Sequence, residues 1–139
     1  MSQTQPNCAA RVDSELASTI ATIRNLWESY CKGEEWCEEE ETCFHEYGLS
    51  FDYVAPGTFA DQDQGYFRYQ ISWGGPSDEF RFYVNPDLSC YHVEYWFLDW
   101  FDGAHRDLTG DDKALMMEVY EFFNEVGSTQ AELDKAMEE

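Results

Sequence analysis

The chain has 139 residues, with 29 acids against eight bases and a formal charge of −21. That length fits one domain, and that charge excludes nucleic acid and anionic membrane as direct partners, leaving basic surfaces. A hydrophobic share of 43% and an aromatic share of 17% exclude wholesale disorder, because acidic disordered segments are poor in both.

Residues 1–12 read as a polar N-terminal tail and residues 13–139 as a single domain. The opening stretch, "MSQTQPNCAARVDSE", has no apolar run of signal-peptide type. Nowhere do eighteen apolar residues follow one another, so no membrane span is expected. Cys8, Cys31, Cys37, Cys43 and Cys90 make an odd set. Without a secretion signal they read as reduced thiols in a cytoplasm.

From Asp13 the pattern turns helical. Leu16, Ile20, Ile23, Trp27 and Tyr30 recur at three- and four-residue steps, with Asp13 or Ser14 as cap and Gly33 as stop. A second helix is expected over 34–47, with Trp36, Cys37, Cys43, Phe44 and Tyr47 on one side and Gly48 closing it. Strand alternation follows in 49–54, 66–73, 79–84 and 90–101. "GGPSD" and "NPDLS" supply turns. Thr109 with Asp112 opens a further helix whose apolar stripe is Leu115, Val119, Phe122, Phe123 and Val126, stopped by Gly127. Thr129 with Glu132 opens a last, short one. The expected fold is α+β, an antiparallel meander of about four strands with N-terminal and C-terminal helices on one face.

The stretch "KGEEWCEEEETCFHEYG" (32–48) holds seven glutamates and no Lys or Arg after its first residue. On a helix, Glu34–Glu38, Glu35–Glu38, Glu35–Glu39 and Glu38–Glu41 are like-charge neighbours, together costing roughly 1–2 kcal/mol. A solvated acidic face is one reading. The other is a docking surface for a cationic partner, since a protein that holds DNA spreads Lys and Arg along a groove. Further carboxylates at Asp52, Asp61, Asp63, Asp78, Glu79, Asp99, Asp102, Asp107, Asp111, Asp112, Glu118, Glu121 and Glu125 extend the excess over the whole chain. Desolvated aromatics would anchor such docking, with Trp36, Tyr47, Tyr66, Tyr91, Trp96 and Trp100 as candidates.

The stretch "YQISWGGPSDEFRFYV…CYHVEYWFLDWFDGAHRDLTGDD" (69–112) resembles small proteins carried by phages and plasmids. They share a strand, a Gly-Gly-Pro turn, a second strand, an aromatic segment near "DWF" and a helix. In size and charge the chain also looks like the anti-restriction and anti-CRISPR proteins of mobile elements, several of which mimic DNA. The likeness implies a non-enzymatic inhibitor that occupies a basic nucleic-acid-binding surface of a CRISPR effector or another defence nuclease. It assigns no residue a role. The residue pattern itself nominates Glu34, Glu35, Glu38, Glu39, Glu41, Glu46, Asp52 and Trp36 as partner-binding. An immunity protein for a cationic toxin nuclease belongs to the same physical class.

Metal and enzyme readings rest on less. Cys31, Cys37, Cys43 and His45 do not have the short paired spacing of zinc ligands. "DWFDGAHRD" brings Asp99, Asp102, His105 and Asp107 together in sequence, and Asp99, Asp102 and His105 suit a small metal-dependent enzyme. The same string also reads as an Asp-Gly turn leaving a strand, and His92 as a hydrogen-bonded structural histidine. No phosphate loop, nucleophile elbow or HExxH pattern occurs, so no cofactor and no catalysis are expected.

Overall fold

The chain is described by a computed structural model covering residues 8–58, 62–72, 76–99 and 102–137. Helix α1 spans Cys8–Cys31, starting inside the stretch read as a tail. Its extra turn is driven by Val12, which lies one turn before Leu16 and is fully buried. Arg11 adds a hold: its guanidinium sits 4.7 Å over the Phe97 ring and 3.2 Å from Asp99. The helix ends at Gly33, whose φ of 83° suits glycine. There Glu34 N–H reaches back to the Ser29 carbonyl at 3.0 Å.

The second helix is far shorter than expected. Only α2, Phe44–Tyr47, is helical; residues 34–43 form turns closed by one bridge, Cys37 N–H to Thr42 O at 2.9 Å. Gly33 breaks the chain, and the four glutamates 38–41 that follow would repel along a helix. The loop lets them splay, with Glu41 in the left-handed region at φ 55°. Gly48 follows α2 in extended backbone. It is needed for a different reason, because a Cβ there would lie 2.2 Å from the Tyr69 ring.

Five strands, not four, form one antiparallel sheet in the order β1-β2-β3-β4-β5. They are β1 Ser50–Val54, β2 Tyr66–Ser72, β3 Pro76–Val84, β4 Cys90–Asp99 and β5 Asp102–Asp107. The added strand is β5, which lies where an Asp-Gly turn was expected. Asp102 and Gly103 instead lie in the strand, paired with Asp99 and Leu98. Trp73, Gly74 and Gly75 of the expected hairpin turn, Asp61, Trp100 and residues 1–7 lie outside the described residues.

Helices α3, Gly110–Glu125, and α4, Ser128–Met137, complete the helical layer. Gly127, at φ 86°, separates them. One sheet face carries Phe67, Tyr69, Phe80, Phe82, Val93, Tyr95 and Phe97, all buried. Tyr120 of α3 packs on Phe67 and Phe82, while Phe123 stacks on Phe51 at 4.2 Å. Asp78 is buried in this layer and accepts hydrogen bonds from Tyr95 Oη at 2.6 Å, Thr19 of α1 at 3.2 Å and Ser72. Three hydroxyls thus replace the water it lost, as a buried carboxylate requires. Among the described residues no helix lies across the opposite face, although α4 borders it at β1, where Glu132 and Lys135 share a cleft with Asp52 and Arg68. No described helix is long and apolar enough to cross a membrane.

Candidate functional site

The acidic loop is anchored to α1 rather than free. Cys37 is buried, with its thiol 3.9 Å from the Asn25 carbonyl, and Asn25 Nδ2 donates to Glu40 at 2.7 Å. Phe44 enters an aromatic cluster: its ring lies 5.1 Å from Trp27, 5.6 Å from Tyr30 and 5.5 Å from Phe122 of α3. His45 lies edge-on to Tyr30 at 5.1 Å. Docking α2 and α3 on the C-terminal end of α1 thereby builds a ridge of rings.

A cleft opens on each side of Tyr30. One, of about 360 Å³, is bounded by Tyr30, Phe44, His45, Trp36, Glu34 and Glu35. The other, of about 460 Å³, is bounded by Trp27, Met117, Phe122, Glu118, Glu121 and Glu125. Trp36 is 50% exposed at the rim of the first. Its exposure is unusual for so large an apolar group beside a cleft.

The rim carboxylates are free. Glu34, Glu35, Glu38, Glu39, Glu41 and Glu46 are all exposed. So are Glu118, Glu121 and Glu125, and none of the nine takes part in an ion pair among the described residues. Burial and the Glu118 charge together push the Cys31 thiol up, which places the field of α3 at the end of α1. Because 34–41 is not a helix, the like-charge penalty expected there falls instead on α3, where Glu118–Glu121 and Glu121–Glu125 are true i,i+3 and i,i+4 neighbours.

Several nominated residues lie elsewhere. Asp52, on β1, is gripped by Arg68 through two bonds of 3.0 and 2.7 Å. Its charge is balanced there by Arg68, so it is not among the unpaired carboxylates. Asp78 and Glu79 are buried, and Asp99 and Asp112 pair with Arg11 and Arg24. The acidic excess is therefore gathered near the ridge more than spread evenly. Among the anchors, Tyr66 is buried and Tyr47 is half-buried, its hydroxyl pushed up to about 12 by burial and by the charges of Asp78 and Glu40. Tyr91 is exposed, its hydroxyl accepting from Gln64 at 2.8 Å. Trp96 is sandwiched between Arg81 and His105.

Of the metal set Asp99, Asp102 and His105, the side chain of Asp102 lies outside those described, and Asp99 and His105 do not converge. Asp99 faces α1 through Arg11, whereas His105 lies on the other sheet face, stacked on Trp96 at 4.4 Å. Alternation along β5 separates residues that the sequence puts side by side. Among the described residues, Cys31, Cys37, Cys43 and His45 do not bring their ligating atoms together either. Glu118, Glu121 and Glu125 were visible in sequence as acids at helical spacing. Their place beside Tyr30 depends on how α3 meets α1, which periodicity does not report.

Comparison of the chain with family models, with curated proteins and with solved structures finds no match.

Proposed function

We propose that this protein is a non-enzymatic inhibitor whose Tyr30 ridge docks into a Lys/Arg-lined nucleic-acid groove of a defence nuclease, a CRISPR effector being the leading candidate. The observation that carries this reading is the pairing of two ring-lined clefts with nine exposed, unpaired carboxylates and an exposed Trp36. Carboxylates alone give steering and salt sensitivity. Affinity needs desolvated anchors, which the clefts and Trp36 supply.

The ridge is held by ring packing of Trp27, Tyr30, Phe44 and Phe122 across three helices, so little ordering entropy is lost when it docks. In this reading Glu34, Glu35, Glu118, Glu121 and Glu125 face the partner's cations around the clefts, and Glu38, Glu39, Glu41 and Glu46 extend the negative surface along the loop and α2. The test is binding to purified CRISPR effectors with and without their nucleic acid. Wild-type chain should bind the empty groove and compete with duplex DNA. A chain carrying Glu118→Lys, Glu121→Lys and Glu125→Lys should bind at least about a hundredfold more weakly, since like charges brought together cost several kcal/mol. Equal binding by both chains would refute the placement of the site.

A further inference from the structure

We propose that His92, Glu94 and Asp107 form a binding site for one divalent transition-metal ion of the Zn²⁺ class. The site lies on the helix-free sheet face, away from the ridge, and does not depend on the docking proposal.

The register builds it. His92 and Glu94 are same-face neighbours on β4, and Asp107 of β5 stands directly opposite Glu94. His92 Nε2 lies 3.1 Å from Glu94 Oε2 and 3.4 Å from Asp107 Oδ1, and the three donor atoms lie within 4.8 Å of one another. Ligands about 2.1 Å from a tetrahedral ion are about 3.4 Å apart, so an ion needs only a small opening of this set.

Glu94 is held as a metal-ligating carboxylate is held. Its Oε1 accepts from Trp96 Nε1 at 2.8 Å and from Tyr83 Oη at 3.0 Å, leaving Oε2 turned toward His92. Such outer partners fix the direction of a ligand oxygen. Arg81, next to Glu94 in the same cross-strand row, could have neutralised it. Its guanidinium goes instead to Glu79 at 2.7 Å and lies over the Trp96 ring at 3.9 Å. Two carboxylates thus share a single imidazole and have no guanidinium or ammonium partner among the described residues. A dication balances that charge.

One nitrogen and two oxygens suit Zn²⁺ and its neighbours, whereas Mg²⁺ and Ca²⁺ prefer all-oxygen shells. On binding, the ion takes the Nε2 lone pair, the imidazole keeps its proton on Nδ1, and any Nε2 proton leaves to solvent. Asp107 is exposed and marks the side of entry. Water completes the shell.

The test uses the full chain, stripped with chelator and titrated with Zn²⁺ against a chromophoric competitor. One ion per chain is expected, undisturbed by excess Mg²⁺. His92→Asn and Asp107→Asn should abolish uptake. Tyr83→Phe and Trp96→Phe should weaken it by about 10- to 100-fold, the usual cost of losing an outer partner. A control chain with Glu38→Gln, Glu39→Gln and Glu41→Gln should bind as wild type. Absence of stoichiometric uptake, or uptake unchanged in His92→Asn, overturns the site. Loss confined to the loop control would reveal diffuse binding by the acidic surface and overturns it equally. Should a variant misfold, Co²⁺ on wild-type chain decides: d–d absorption together with a shifted His92 ring resonance supports the site, and their absence refutes it.

Discussion

The ridge around Tyr30 and the helix-free face of the sheet use the same side chain in opposite ways. Near the ridge, carboxylates stand exposed and form no ion pair among the described residues. On the sheet face they are engaged: Asp52 by Arg68, Glu79 by Arg81, Glu94 by Trp96, Tyr83 and His92. The row Asp52, Arg68, Arg81, Glu94, Asp107 crosses all five strands and brings both signs together. Net charge is therefore a poor guide to where a protein is electronegative. What matters is which carboxylates the fold leaves without a partner.

Substitutions sharpen this contrast, and the largest effect should come from the sheet face. Glu79 is buried against Arg81, and Glu79→Ala leaves a largely buried guanidinium, 15% exposed, without its carboxylate, so unfolding in denaturant should show a loss of about 3 kcal/mol. Any partner binding at the ridge should persist in that variant wherever it remains folded. Trp36→Ala should do the reverse. Its ring is half exposed, so stability should hold within about 0.5 kcal/mol, while binding to a captured partner should weaken by about 2 kcal/mol or more if Trp36 is an anchor.

Glu94 gives a smaller, pH-dependent effect. Burial pushes its carboxyl up, but hydrogen bonds from Trp96, His92 and Tyr83 outweigh this and hold it below the ordinary value of 4.5. A lowered carboxyl contributes stability that is present above its unfolded value and is lost as pH falls through the folded one. Tyr83→Phe should therefore lower stability at neutral pH by about 1.5 kcal/mol, the scale of one hydrogen bond to a charge. The difference from wild type should shrink below about pH 4, as measured by denaturant melts over a pH series. The smallest effect concerns the thiols. Burial pushes Cys90 up to about 11, so a thiolate-seeking reagent at neutral pH should label exposed Cys31 before Cys90, and Cys90 only on unfolding.

Much of the fold was legible in the sequence. Alternation placed Phe67, Tyr69, Ile71, Phe80 and Phe82 on one face, and all are buried. Gly33 and Gly127 marked real helix ends at positive φ. The failures share a cause, which is that long-range partners decided them. Strand β5, "DGAHRD", has almost no apolar alternation and forms because β4 offers an edge to pair with and α1 packs beside it. Val12 was hidden in a polar opening and is helical because α1 extends back along the sheet toward Asp99. The stretch after Gly33 carried apolar spacing suited to a helix, yet Asn25 and the Cys37–Thr42 bridge hold it as a loop.

The exposed acidic surface was half legible. Composition nominated Glu34, Glu35, Glu38, Glu39, Glu41 and Glu46, which are exposed and in no ion pair among the described residues, together with Asp52, which Arg68 pairs across the strands. It could not join Glu118, Glu121 and Glu125 to Tyr30, since α1 and α3 are far apart in sequence. The metal set failed likewise. His105 and Asp99 were close in the chain but are on different sheet faces, while His92 and Asp107 were distant and now meet.

The most direct measurement is a competition titration: a CRISPR effector that binds the chain, a labelled DNA duplex for its groove, and rising salt. Wild-type chain should displace the duplex, with an affinity that falls steeply as salt rises, and the Glu118→Lys, Glu121→Lys, Glu125→Lys chain should leave the duplex bound. Simultaneous binding of chain and duplex, or displacement indifferent to that reversal, would contradict the account.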